Sequence, residues 1–299
     1  MRQVNPNDSR LSSFAGQGDP EIWEDVWKSV DVERKQMYAE GPPLDITQLI
    51  HRGYFEDLWH YMGDTAYSAR YLEVGAGRGT TAMYLSKRDC DVTMLDLSTQ
   101  GFRIAEANFK RHGVKLPTMI VADAQSTGLP GCSFDCVYSI GLVEHFINPI
   151  PLLKESMRLL KPDGLLFKVI VPSRTIAHAW PLWCLLNPVD FSLRVAKHMV
   201  KMMIGYRSPD QNNRRATRTD YQRSYYEQWM RELGGVDVFC IPYNPYRQIY
   251  SRTILDQKIA FPLYRHHYLR KKSTGNFPLL GTYASVAVCD LLVCRKRRA

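Results

Sequence analysis

The most constraining stretch of this 299-residue chain is RYLEVGAGRGTTAMYLS, residues 70–86. RYLEV reads as a short strand and runs straight into a turn with Gly75, Gly77 and Gly79 at alternate positions. A helix-forming segment follows with no spacer. Glycines here let the backbone turn sharply and approach a ligand closely, and the helix start offers unpaired amides to a negative group. A strand feeding a helix through a tight turn is the first half of a parallel crossover unit, which points to the α/β class. The spacing also excludes two phosphate-binding loops. G-x-G-x-x-G needs glycine at position 80, which is Thr80, and G-x-x-x-x-G-K-[ST] has no match in the segment.

The rhythm then repeats. Apolar runs at 70–74, 91–95, 117–121, 134–140, 165–171, 236–242 and 283–294 read as seven strands. Helical stretches are expected after Gly79, Ser98 and Gly141 and over 151–160, where Leu152, Leu153, Ser156, Met157 and Leu160 share a face and Lys161-Pro162-Asp163-Gly164 ends the helix. Upstream, residues 1–20 read as a disordered lead and 21–69 as a helical cap, with helix over 21–63. Ile22, Trp23, Val26, Trp27 and Val30 recur there at helical spacing. Ser224 and Glu227 read as a capping box opening a helix that Gly234 and Gly235 close.

Two insertions, 172–223 and 251–282, interrupt the rhythm and are too long for ordinary crossover connections. The first contains FSLRVAKHMVKMMIG (191–205), an expected amphipathic helix with Arg194, Lys197 and Lys201 on its basic side. Charge follows the same division. The net +9 is made of +6 over 191–223 and +8 over 251–299, leaving −5 for the rest. That asymmetry fits an anionic partner, whether a phosphorylated small molecule, an anionic membrane or a nucleic acid, and equally fits a solvated basic face.

With 45% apolar residues the chain has ordinary globular composition, enough for one large domain with insertions. Seven cysteines without a C-x-x-C pair propose neither a disulfide framework nor a zinc site, and a reducing cytoplasm is expected. The N-terminal 20 residues have no apolar core of a secretory signal. The apolar run 175–189 is broken by Pro181 and Pro188 and is too short to span a bilayer.

Acids recur at the carboxyl ends of successive strands, where open parallel sheets bind ligands: Asp96 in TMLDLS and Asp123 in IVADAQ. With YLEVGAGRGTT, VTMLDLS, VADAQSTGLP, FDCVYSIGLVEHF and LLKESMRLLKPDGLLFKVIVP in order, residues 70–171 resemble the class I S-adenosylmethionine-dependent methyltransferases, in the subgroup acting on quinones, lipids and other small molecules. The resemblance implies a Rossmann-like sheet in the order 3-2-1-4-5-7-6 with strand 7 antiparallel, spanning 70–299. It implies that Glu73, Gly75 and Gly77 hold the methionine end of S-adenosylmethionine. Asp96, as an exposed acid, would hold the ribose and Asp123 with Ala124 the adenine, with Ala76, Leu97 and Ile140 also among the cofactor-binding residues. No metal is needed.

Methyl transfer from a sulfonium is an in-line displacement, so a base is required only when the nucleophile must lose a proton. His145 is the candidate base, with Glu144 beside it; each also fits a structural role. Tyr54 fits either a cation–π contact to the sulfonium or a packed cap. The [DN]-P-P-[YF] signature of nucleic-acid amino methylation is absent after the fourth strand, which reads SIGL. Asn244-Pro245-Tyr246 reads as a turn. A nucleic-acid acceptor therefore rests on charge alone. The aromatic and basic insertions fit a small hydrophobic, anionic acceptor, a peripheral membrane contact, or a lid or homodimer contact.

Overall fold

The computed structural model describes residues 20–28, 37–172, 218–246, 258, 261–284 and 287–298. The expected lead, the basic helix at 191–205 and most of the first insertion lie outside them. The described elements are α1 (Pro20–Lys28), α2 (Ile46–Met62), β1 (Arg70–Val74), α3 (Thr80–Ser86), β2 (Asp91–Asp96), α4 (Thr99–Arg111), β3 (Thr118–Val121), β4 (Phe134–Ile140), α5 (Ile150–Leu159), β5 (Leu160–Ile170), α6 (Arg223–Glu232), β6 (Gly235–Tyr243), α7 (Phe261–Ser273) and β7 (Cys289–Lys296).

The seven strands form one sheet in the order β3-β2-β1-β4-β5-β7-β6. Neighbours from β3 to β5 are parallel, and β7 runs antiparallel to both β5 and β6, as the resemblance implies. Alternation along the strands splits the core in two. One face carries Tyr71, Tyr138, Phe167 and Val169 against α2, α3 and α4; the other carries Leu72, Val137, Leu166 and Ile170 against α5 and α6. Side chains such as Leu49, Leu58 and Leu152, with no exposed surface, each contribute about 1.5–3 kcal/mol by leaving water.

Five local expectations are corrected. The helix expected over 21–63 is interrupted: among the described residues, 37–45 are not helical and α2 starts at Ile46. Gly41-Pro42-Pro43 removes two amide donors, and Asp45 then starts α2 by accepting from Gln48 N at 2.9 Å while Gln48 Oε1 accepts from Leu44 N at 2.8 Å. β5 begins at Leu160, not 165: Leu160 pairs with Phe134, and Lys161–Gly164 form a bulge before Leu165 pairs with Cys136. β7 begins at 289, not 283. Residues before it turn, with Gly281 bridging to Tyr243 and Val288 N donating to Asn244 O. The capping box at Ser224 does not form: Gln222 precedes the helix, and Glu227 Oε1 accepts from Cys240 N at 2.9 Å, stitching α6 to β6. The helix expected directly after Gly141 is a single 3-10 turn, Val143–His145.

The second insertion, in its described part, covers α2. Tyr268 and Lys272 of α7 reach Glu56 at 2.6 and 2.8 Å. Asp57 accepts from Tyr243 Oη at 2.7 Å and from the amides of Leu279 and Leu280, tying α2 to β6 and the turn before β7. No helix among the described residues is long and apolar enough to cross a membrane.

Candidate active site

A cavity of about 400 Å³ opens at the carboxyl ends of β1, β2 and β4. The strand-end loops and α1–α2 line it together, and every residue expected from the sequence to touch cofactor lines it: Glu73, Gly75, Ala76, Gly77, Asp96, Leu97, Asp123, Ala124 and Ile140, as does His145.

The floor is the glycine-rich turn. Gly75 N and Ala76 N both donate to Leu95 O, at 2.8 and 3.1 Å, so the turn is pinned to the end of β2. Gly77 needs to be glycine on two counts. Its φ is +51°, and a Cβ there would stand 2.3 Å from a ring carbon of Trp27. Asp96, expected as an exposed acid, is buried. Its Oδ2 accepts from Gly77 N at 2.7 Å and its Oδ1 from Ser98 N at 2.8 Å. Burial raises its pKa, against the pull of those amides. Asp96 therefore shapes the turn as well as facing the cavity.

Glu73 is also buried, and burial pushes its carboxyl up to about 8. Its Oε2 accepts from Ala82 N at 3.1 Å and Tyr138 Oη at 3.2 Å, which fastens the first turn of α3 onto β1 and β4. Asp123 is exposed, its Oδ1 accepting from Gln125 N at 2.9 Å in a local Asx turn.

The roof comes from α1 and α2. Trp23, Val26 and Trp27 of α1, then Met37, His51 and Tyr54, close the cavity. Glu24 holds α1 in place by capping α4, with its carboxylate accepting from Thr99 N at 2.6 Å and Gln100 N at 3.2 Å beside the Ser98 cap. Trp23 meets the His145 ring edge-on at 4.8 Å, and the Arg78 guanidinium lies 5.8 Å from the Trp27 ring. The sequence carried the periodicity of Ile22, Trp23, Val26 and Trp27 but no sign of which surface it covers.

Tyr54 is a packed cap residue that also faces the cavity. Its hydroxyl accepts from Asn244 Nδ2 at 3.0 Å and its ring stacks on Tyr243 at 5.8 Å. Asn244 is a buried turn residue with φ +54°, in keeping with the turn expected at 244–246. Gly141, Leu142, His145, Phe146, Val171 and Arg218 also line the cavity. Arg218 is the described contribution of the first insertion; no described residue of 251–282 reaches the cavity. Among the described residues, no group of three or more His, Cys, Asp or Glu is placed to hold a metal ion.

Residues 72–168 match the family described as a methyltransferase domain. A ubiquinone biosynthesis O-methyltransferase of Idiomarina loihiensis is 26% identical over 129 residues, covering 43% of this chain and 51% of that protein. One of Colwellia psychrerythraea is 29% identical over 102 residues, covering 34% and 41%. The chain thus spans about half the length, or less, of these curated relatives. Among solved structures, the phosphoethanolamine N-methyltransferase 2 of Haemonchus contortus, in complex with phosphomonomethylethanolamine and S-adenosylhomocysteine, superposes with a TM-score of 0.52 at 17% identity, over 83% of this chain and 53% of that one. The cyclase SpnF superposes at 0.51 and 17%, over 93% and 92%. At these identities the two structures are similar to this chain in fold.

Proposed function

We propose that this chain, which carries a class I S-adenosylmethionine-dependent methyltransferase domain, transfers a methyl group to oxygen or carbon of a small hydrophobic acceptor. The observation that carries the reading is one cavity lined by the glycine turn and the strand-end acids together with apolar side chains. The cofactor fits this chemistry. Gly75 and Gly77 line the cavity without side chains, and a carboxylate has lone pairs to spare beyond the two amides that Asp96 accepts. Glu73, Gly75, Ala76 and Gly77 would hold the methionine portion, Asp96 and Leu97 the ribose, and Asp123, Ala124 and Ile140 the adenine. When bound, S-adenosylmethionine supplies an electrophilic methyl on a positively charged sulfur.

The chain's own residues then align and desolvate. Trp23, Leu142, Phe146 and Val171 exclude water from the acceptor end, and proximity of this kind supplies about 7–11 kcal/mol of a bimolecular barrier. Arg218 stands where an anionic group on the acceptor would be met. The O-methyltransferases among the relatives support a small-molecule acceptor, and peripheral membrane contact through the basic insertions belongs to the same reading.

The test is to incubate the chain with methyl-labelled S-adenosylmethionine and a cell extract, then count label in the organic, protein and nucleic-acid fractions. Label in the organic fraction that disappears with Asp123→Ala is the expected result. Label in nucleic acid would make the basic segments the acceptor site. Cofactor binding without release of S-adenosylhomocysteine would mean the domain serves a reaction other than methylation.

A further inference from the structure

The sheet has two edges, β3 and β6, and the chain treats them differently. An edge strand presents a row of unpaired N–H and C=O groups to any strand that can lie alongside. β6 is blunted. Glu227 Oε1 accepts from Cys240 N at 2.9 Å and Arg231 Nη2 donates to Val238 O at 3.3 Å, while a bulge between Val236 and Phe239 bends the strand and Pro242 lacks an N–H. β3 has no such cover. Ala122 N donates to Asp96 O at 3.1 Å, so alternate residues bond β2 and the N–H and C=O groups of Met119 and Val121 face outward. Among the described residues no side chain or loop bonds to them. The strand lies within an uncharged run, 116–122, in which Leu116 and Val121 are 39% and 55% exposed.

We propose that β3 is a docking edge for a second copy of this chain, the two β3 strands pairing antiparallel so that one sheet runs through the dimer. The charges at its ends name the occupant. Lys115 precedes the run and Asp123 follows it, both exposed. A two-fold interface must complement itself, and an antiparallel pairing sets each lysine near the other copy's aspartate, whereas a parallel one sets like beside like. The backbone fixes the register. With Ile120 on the two-fold axis, Met119 of each copy lies opposite Val121 of the other, and all the outward N–H groups of these residues meet outward C=O groups. Pro117, which has no N–H, then falls opposite Asp123, whose carbonyl already accepts from Ser126 N at 3.1 Å, so neither lacks a partner. Lys115 becomes the diagonal neighbour of Asp123 on one face of the paired strands, within reach of a long side chain. Asp123 also lines the cavity, so the second copy brings a cation beside that wall.

Sedimentation velocity of the full chain, from low to high micromolar protein, is expected to show a monomer–dimer equilibrium that weakens as salt rises. Amide exchange reads the edge itself: the Met119 and Val121 amides slow as protein concentration rises, while those of Ile120 and Ala122, bonded to β2, do not change. Val121→Pro removes an outward donor and leaves the β2 ladder intact. It raises the dissociation constant by about tenfold or more, because symmetry removes two bonds per dimer. Lys115→Glu, an exposed change outside the strand, weakens the dimer by about fivefold or more, and adding Asp123→Lys restores it. Should Val121→Pro melt below wild type, Lys115→Glu and its rescue decide. A wild type that stays monomeric over the range overturns the proposal, as does a dimer that Lys115→Glu leaves as tight as before or whose Met119 and Val121 amides exchange no more slowly.

Discussion

At the scale of single residues, the buried charges have consequences the strand pattern does not announce. Lys168 lies in β5 with no exposed surface and no hydrogen-bond partner for its ammonium among the described residues, and burial pushes it down to about 7. A lysine lowered in the folded state destabilises fully below about 7, and the penalty fades as pH approaches the ordinary lysine value of about 10.4. Lys168→Met is therefore expected to raise stability at pH 7 by about 2 kcal/mol or more, with the gain shrinking at pH 10, as urea unfolding at the two pH values would show. Asp96 makes the opposite case. Because it accepts two backbone amides, Asp96→Ala is expected to cost about 1–3 kcal/mol of stability as well as cofactor affinity. Melting and calorimetry on the one variant separate the losses, and an unchanged melting temperature would mean the amides find other partners. Both residues stood in plain view in the sequence. Their burial did not, since it depends on what β7 and α1 lay over them.

At the scale of elements, α1 is the piece on which the cavity depends. It is held by Glu24 on the start of α4, Trp27 on the glycine turn and Trp23 against the His145 ring. Glu24→Ala is expected to remove about 1 kcal/mol of capping energy and to speed hydrogen exchange of the Thr99 and Gln100 amides without unfolding the sheet. Gly77→Ala is the harsher change. Its Cβ meets Trp27 and its φ is strained, so α1 is displaced and cofactor affinity falls, read as loss of Trp fluorescence change on titration. Elements with local signals were legible: β1 and β4 run over the residues the alternation marks, and Ser98 caps α4 as a serine before a helical run should. The capping box at Ser224 misled because Glu227 serves a strand amide instead of its own helix start. The early onset of β5 was hidden by Pro162 and Gly164, which read locally as a stop but sit in a bulge.

At the scale of the whole molecule, buried carboxyls raised by burial shape the pH response, Asp96 among them. Glu73, Glu144 and Asp57 are held up to about 8, 7 and 6 by burial. An acid raised in the folded state costs nothing below its unfolded value of about 4, and its penalty grows as pH rises to the folded value. Stability is therefore expected to fall between about pH 5 and pH 8, and Glu73→Gln with Glu144→Gln to flatten that slope in denaturant unfolding. A flat wild-type profile would mean these groups are ionised in the fold.

The sequence by itself determined the sheet, the glycine turn and the acids at the strand ends, because each is written in residues close together along the chain. Alternation of period two, a run of glycines and a capping serine act within a few residues. Only the tertiary structure decided what covers the turn, that Asp96 and Glu73 are tied into the backbone, that α7 of the second insertion packs on α2, and that Glu144 lies beside His145. Those outcomes depend on contacts between segments such as 24 and 99, or 144 and 219, whose meeting is set by the global packing of two layers onto one sheet and leaves no local pattern to read.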